Sequence, residues 1–362
     1  MNLDDLDYFD KLDAQRMLDH IDSLPAQLQS AWEIGQKSPL PAWNGIKQVI
    51  VAGMGGSAIG GDLLSAYLLP KCSVPVHINR DYGLPAWASG DSTLVVASSH
   101  SGDTEETLSA FTTALDRGCR LLAVTTGGQL AHMADQASIP AWRYQHHGQP
   151  RAAVGFSFGM LLAAISRLGI LEDPSAEYFK AIQAMQVQQT SLRASVEAAK
   201  NPAKRLAGQM VGRWVTVIGS GILAPVARRW KSQINELSKT WAQFETLPEA
   251  DHNTLAGVLN PEELLGKTFV LFLRSSTDHP RNQIRSELTR KGMMLEGLNT
   301  DFVNAQGSSP LANLWTSLHF GDYTAFFLAM AYGADPSPVP TIEAFKKELA
   351  AEGKKTKPHT QS

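Results

Sequence analysis

Cysteine is almost absent from this 362-residue chain; Cys72 and Cys119 are the only two. Two thiols give no disulfide framework and no cysteine-based metal pattern, and they suit a reducing compartment, so a cytoplasmic location is expected. A charge excess is also missing. The formal net charge is -3 at pH 7, which provides no basic field for nucleic acid or an anionic membrane. No apolar run is long enough to span a bilayer, and the opening MNLDDLDYFDKLD is acidic where a signal peptide is basic. Any phosphorylated ligand must therefore be held by local donors. Low-complexity segments are absent too.

What remains is a globular composition, with 43% hydrophobic and 19% charged residues. The length exceeds one ordinary core and favours two α/β modules. Residues 1–46 read as helices, because Leu18, Ile21, Leu24, Leu28 and Trp32 recur at helical spacing. The period then changes. Apolar runs at Gln48–Ala52, Val74–Asn79, Thr93–Ser98 and Leu121–Thr125 read as strands with helices between them. Such alternation predicts a mostly parallel sheet covered on both faces. The order recurs later. Trp214–Ile218 leads through Gly219-Ser-Gly221 into a helix carrying Leu223, Val226, Trp230, Ile234, Leu237 and Trp241. Val270–Leu273 then ends in Arg274-Ser-Ser276, which echoes Ser99–Ser101. The repeat covers 47–150 and 205–330. The expected organisation is N-terminal helices over 1–46, a first module over 47–150 and connecting helices over 151–204. A second module over 205–349 includes a C-terminal helix, and 350–362 reads as a frayed polar tail.

Two loops carry the strongest chemical signal. Gly53-Met-Gly55-Gly56-Ser57-Ala58 joins a strand to a helix, so its backbone can approach a ligand and its helix start can meet an anion. Alone it also fits a dinucleotide fingerprint or a simple packing turn. Ser99-His-Ser101-Gly-Asp103-Thr104-Glu-Glu106 also joins strand to helix. Its hydroxyls and amides can cradle a phosphate monoester without lysine. Asp103 and Glu106 also fit an N-cap and its third-position partner, which would make part of the motif plain capping. Two such loops on neighbouring strands point to a ligand beyond the strands' carboxyl ends. Glu236, His252, Arg151 and Lys346 each read, in isolation, as solvated surface residues.

In order along the chain, G-M-G-G-S-A-I-G-G-D, S-H-S-G-D-T-E-E-T, P-R-A-A-V-G, N-E-L-S-K, P-E-A-D-H-N, G-D-Y, D-P-S-P-V and I-E-A-F-K resemble the bifunctional phosphoglucose/phosphomannose isomerase family. The resemblance runs from about residue 47 to 349. It implies a dimer of subunits with two sugar-isomerase (SIS) modules, each a flavodoxin-like three-layer αβα unit. It also implies reversible, metal-free isomerisation of glucose 6-phosphate, and mannose 6-phosphate, with fructose 6-phosphate, in glycolysis and gluconeogenesis, with no cofactor. Carried over residue by residue, Gly55, Gly56, Ser57, Ser99, Ser101 and Thr104 bind the phosphate. Glu236 is the isomerising base, and His252 opens the ring from the partner subunit. Arg151 lies near the reacting carbons and Lys346 near the ring end.

Two other readings compete. A phosphosugar sensor would need the serine loop but not Glu236, Arg151 and His252 together. A dinucleotide enzyme would need an acidic residue about 20 positions beyond the glycines, at a strand end. Asp81 comes later than that, after Asn79-Arg80.

Overall fold

Nine strands form two separate sheets in the computed structural model, which describes residues 2–355. The chain opens with α1 (Leu6–Leu12), α2 (Met17–Asp22) and α3 (Leu24–Lys37). Residues 38–47 carry no helix or strand, so the helical stretch is shorter than expected; Pro39 and Pro41 stop it. The first sheet is built from β1 (Gln48–Ala52), α4 (Gly55–Leu68), β2 (Val76–Asn79), β3 (Thr93–Ser99), α5 (Glu105–Asp116), β4 (Arg120–Thr125), α6 (Gly128–Gln136) and β5 (Ala141–Arg143). Then α7 (Val154–Arg167), α8 (Ser175–Gln189) and α9 (Pro202–Met210) connect to the second sheet. That sheet uses β6 (Trp214–Ser220), α10 (Ala224–Ser238), β7 (Ala242–Leu247), α11 (Glu262–Leu265), β8 (Thr268–Arg274), α12 (Pro280–Leu295) and β9 (Asn299–Asn304). Two further helices follow, α13 (Pro310–Tyr332) and α14 (Pro340–Lys355). Residues 350–355 thus continue a helix, and 356–362 lie outside the described residues.

Every strand pairing is parallel. The strand orders are β2-β1-β3-β4-β5 and β7-β6-β8-β9, so both sheets share one plan and the α/β expectation holds. The first order is that of flavodoxin-like folds. Buried strands explain it. In β1, Val49 and Val51 enter the large core while Ile50 and Ala52 enter a smaller one on the other face. Likewise Val217 and Leu271 face the large core, whereas Ile218, Val270 and Phe272 face a third cluster. The large core runs between the sheets through α7 and α13. In α13 every residue from Leu311 to Met330 is buried, which makes it the central post of the molecule.

Strand register makes the duplication explicit. Ala52 pairs with Ala97 in the first sheet, and Ile218 pairs with Phe272 in the second. The residues that follow, Gly53-x-Gly55 and Gly219-x-Gly221, are therefore equivalent. Their second glycines share one left-handed conformation, with φ +50° and +49°, which a side chain would strain.

Candidate active site

The two loops identified in the sequence meet at the carboxyl ends of β1 and β3. A Cβ on Gly53 would lie 2.7 Å from Ser98 O and 3.2 Å from Ser57 Cβ. Only glycine therefore lets the β1 loop close against β3 and bring buried Ser57 beside the serine loop. Within that loop Ser99 Oγ and Thr104 Oγ1 share a hydrogen bond of 2.9 Å, and Gly102 N donates to Ser99 Oγ at 3.1 Å. Asp103 N donates to Ser101 Oγ at 3.2 Å, and Ser101 is exposed. The capping expectation for Asp103 fails. The N-cap is Thr104, no side chain caps α5, and Asp103 Oδ1 instead accepts from Gln129 N at 2.9 Å. The first amides of α5 remain available to an anion.

The equivalent loop of the second module is filled from within. Asn313 Oδ1 accepts from Ser275 Oγ at 2.7 Å, Ser276 N at 2.9 Å and Ser276 Oγ at 3.0 Å. The Asn313 amide oxygen therefore already takes up these serine donors of that loop.

Glu236 and Arg151, 85 residues apart in sequence, meet beside the first glycine loop. Arg151 Nη1 lies 3.4 Å from Glu236 Oε2. A Cβ on Gly56 would sit 2.6 Å from Pro150 O and 3.3 Å from Arg151 Cα, so absence of a side chain there admits Arg151. The two side chains share a cavity of about 110 Å³ with Gly55, Gly56, Ile59, Arg80, Arg228, Arg229 and Ser232. Arg151 is 4% exposed. Its Nη2 donates to Pro336 O at 2.8 Å and also to Ser337 O. Burial pulls its pKa below the usual guanidinium value, and Glu236 opposes that; the group stays charged. Arg229 Nη2 donates to Arg151 O at 2.7 Å, and Arg229 forms a buried two-point ion pair with Asp322 at 3.2 and 2.9 Å. Lys239 closes α10 in a left-handed conformation, φ +56°, and donates to Glu236 O at 2.6 Å rather than pairing with the carboxylate. Partial burial, then Arg151, pull its ammonium down to about 8. Trp241, read with this helix, lies beyond its end.

His252 and Lys346 are not brought to this cavity. His252 is exposed at the end of a short 3₁₀ turn, Glu249–His252, and Lys346 is exposed on α14. Ser57, Ser99, Ser101 and Thr104 do not line that cavity, and Ser57 and Ser99 are themselves buried. The sequence reading missed Arg80, Arg228, Arg229 and Ser232. One signal was present: counting back from Glu236, Ser232 and Arg228 recur every four residues, on one helical face. Three half-buried histidines, His20, His100 and His146, also cluster beside the serine loop. His100 Nε2 and His146 Nδ1 are 2.9 Å apart, and the His20 and His146 ring centroids are 4.9 Å apart.

Comparison with known proteins gives the family. A bifunctional phosphoglucose/phosphomannose isomerase of Caldicellulosiruptor bescii is 38% identical over 339 residues, covering 92% of this chain and 99% of that protein. The chain belongs to the bifunctional phosphoglucose/phosphomannose isomerase family. Another member of the family, from Aquifex aeolicus, is 34% identical, covering 89% of this chain and 95% of its own. Residues 199–349 match the bacterial phospho-glucose isomerase C-terminal SIS domain. Among solved structures, a hypothetical protein of Thermus thermophilus superposes with TM-score 0.73 at 18% identity, covering 96% of this chain and 94% of that one. A putative phosphosugar isomerase of Clostridium difficile gives 0.68 at 15% identity, covering 92% and 97%. At these identities the structural likeness speaks for the SIS fold alone.

Proposed function

We propose that the chain interconverts glucose 6-phosphate, and mannose 6-phosphate, with fructose 6-phosphate through a cis-enediol and without a metal. The observation that carries this reading is the Arg151–Glu236 pair beside the first glycine loop. Gly55, Gly56, Ser57, Ser99, Ser101 and Thr104 hold the phosphate, remote from the chemistry, so its binding energy serves to position the sugar. Glu236 carries one proton between C1 and C2. Arg151, held by two backbone carbonyls, stabilises the negative charge of the enediolate. A phosphosugar sensor would need the hydroxyl loop but no such carboxylate–guanidinium pair.

The functional unit is a homodimer with shared sites. His252 opens the ring from the partner subunit, since an imidazole can both give and take a proton, and Lys346 serves the ring end. Exposed apolar side chains support this. Ile342, Phe345 and Leu349 form a stripe on α14, and Ile284, Leu288 and Leu295 form another on α12. The α12 stripe adjoins the His252 segment, since Arg285 and Thr289 of α12 bind Asp251 at 2.8 and 2.6 Å. Such an enzyme belongs to glycolysis and gluconeogenesis in the cytoplasm.

The test is a coupled assay of purified protein on the three hexose phosphates, with and without EDTA. Turnover of all three, unaffected by EDTA, is expected. No turnover, or turnover lost with EDTA, contradicts the reading. Mixing Glu236→Gln chains with His252→Ala chains tests the shared site. Mixed dimers regain activity if it is right and stay inactive if it is wrong.

A further inference from the structure

The cavity that holds Glu236 has a second end. Gly55, Ile59 and Asp62 on α4 face Arg228, Ser232 and Glu236 on α10, each trio spaced to share one helical side. Asp62 is two turns, about 10 Å, along α4 from Gly55. Arg80, which follows β2, pairs with Asp62 Oδ2, and Arg228 Nη1 lies 3.4 Å from the same oxygen. Two guanidiniums therefore share one carboxylate. Arg151 is matched by Glu236 and Arg229 by Asp322, so among the described ion pairs this cluster keeps one positive charge in excess. Arg228 also lies over the Phe244 ring, 5.1 Å from its centroid, which orients its plane.

Topology sets this cluster opposite the hydroxyl loop. β2 and β3 flank β1, so the residues that follow them are two strand spacings, about 10 Å, apart. Between them stand the start of α4 and the Glu236–Arg151 pair. The site is bracketed by one end rich in hydroxyls and amides and another rich in guanidiniums.

We propose that Arg80 and Arg228 form a second anion subsite, which takes sugar phosphates bearing another anionic group at the C1 end. The proposal rests on the hydroxyl loop being the 6-phosphate end. Phosphate and carboxylate share the needed chemistry, because either accepts two parallel N–H donors from arginine. Ligands of this class then span both ends and compete with substrate.

The test compares D-glucitol 6-phosphate with D-glucitol 1,6-bisphosphate, neither of which can isomerise, by titration calorimetry at fixed salt. The wild type should bind the bisphosphate about tenfold or more tightly than the monophosphate. In Arg228→Gln, and separately in Arg80→Gln on a different element, that ratio should collapse toward one. Asp62→Asn should raise it, because the internal competitor is removed; a purely structural ion pair predicts no such gain. D-Gluconate 6-phosphate in the same series separates carboxylate from phosphate as the preferred second anion. Equal affinities of the two glucitol phosphates in the wild type, or an unchanged ratio in both arginine variants, would overturn the subsite. Failure of the isomerase reading shows separately, as no turnover of any hexose phosphate.

Discussion

Asp322 offers the sharpest test of how the site is held. Its carboxylate and the Arg229 guanidinium are 5% and 3% exposed and meet at two points. Arg229 Nη2 then supports the backbone oxygen of Arg151. Asp322→Ala leaves that guanidinium buried and unpaired, which costs about 3–5 kcal/mol. Against a total stability of about 5–15 kcal/mol, that is a large fraction. The double variant Arg229→Met, Asp322→Leu removes both charges. Replacing a buried pair by apolar groups of similar volume is often neutral, so most of the stability should return. Activity should not. Without Arg229 the Arg151 segment loses a donor, and a displacement of about 1 Å near the chemistry can lower the rate by about 10². Urea unfolding and kcat/KM on fructose 6-phosphate measure the two effects. A loss below about 1 kcal/mol in Asp322→Ala, or full activity in the double variant, would refute the reasoning.

Thr104→Ala removes a hydroxyl bonded to Ser99; it should raise KM more than it lowers kcat and weaken competition by inorganic phosphate, and an unchanged KM would count against the hydroxyl loop. Burial holds the pKa of His20 and His100 down, and burial and then His20 push His146 down to about 4. The unfolded chain therefore takes up protons below about 6.5 that the folded cluster refuses. Stability contributed by the cluster is present above that pH and lost as pH falls toward 4, so unfolding free energy should drop more steeply from about pH 6.5 to 5 in the wild type than in His146→Gln; equal slopes would contradict this. Lys239 should lose its charge as pH rises through about 8, removing a cation beside Glu236 and Arg151. A fall in kcat/KM there should vanish in Lys239→Met, and its persistence would clear Lys239.

The parts of this fold written in contiguous residues were legible. Val49–Ala52 and Thr93–Ser99 are unbroken apolar or small runs because both faces of those strands are buried. β9 was missed because Asn299-Thr-Asp-Phe-Val-Asn304 is a partly exposed edge whose polar residues break any period. β5 is three residues long and β7 is half exposed, so neither carries a run. The glycine and serine loops announced themselves, since backbone approach and helix starts are local properties. The Glu236–Arg151 pair did not. It joins distant residues, and only a resemblance could connect them. Arg80 and Arg228 look like any surface arginine until β2 and α10 are seen to share Asp62. Asp103 shows the reverse error, a good local capping pattern overridden by a tertiary bond to Gln129.

The central claim is that Glu236 moves the proton in an aldose–ketose isomerisation, and Glu236→Gln addresses it most directly. Fructose 6-phosphate is incubated with wild type and variant, and formation of glucose 6-phosphate and mannose 6-phosphate is followed by NMR, with glucitol 6-phosphate affinity measured alongside. The account predicts that the wild type forms both aldoses, while the variant binds the glucitol with near-normal affinity but turns over at least about 10²–10⁴-fold more slowly. A variant with near-wild-type kcat would contradict it.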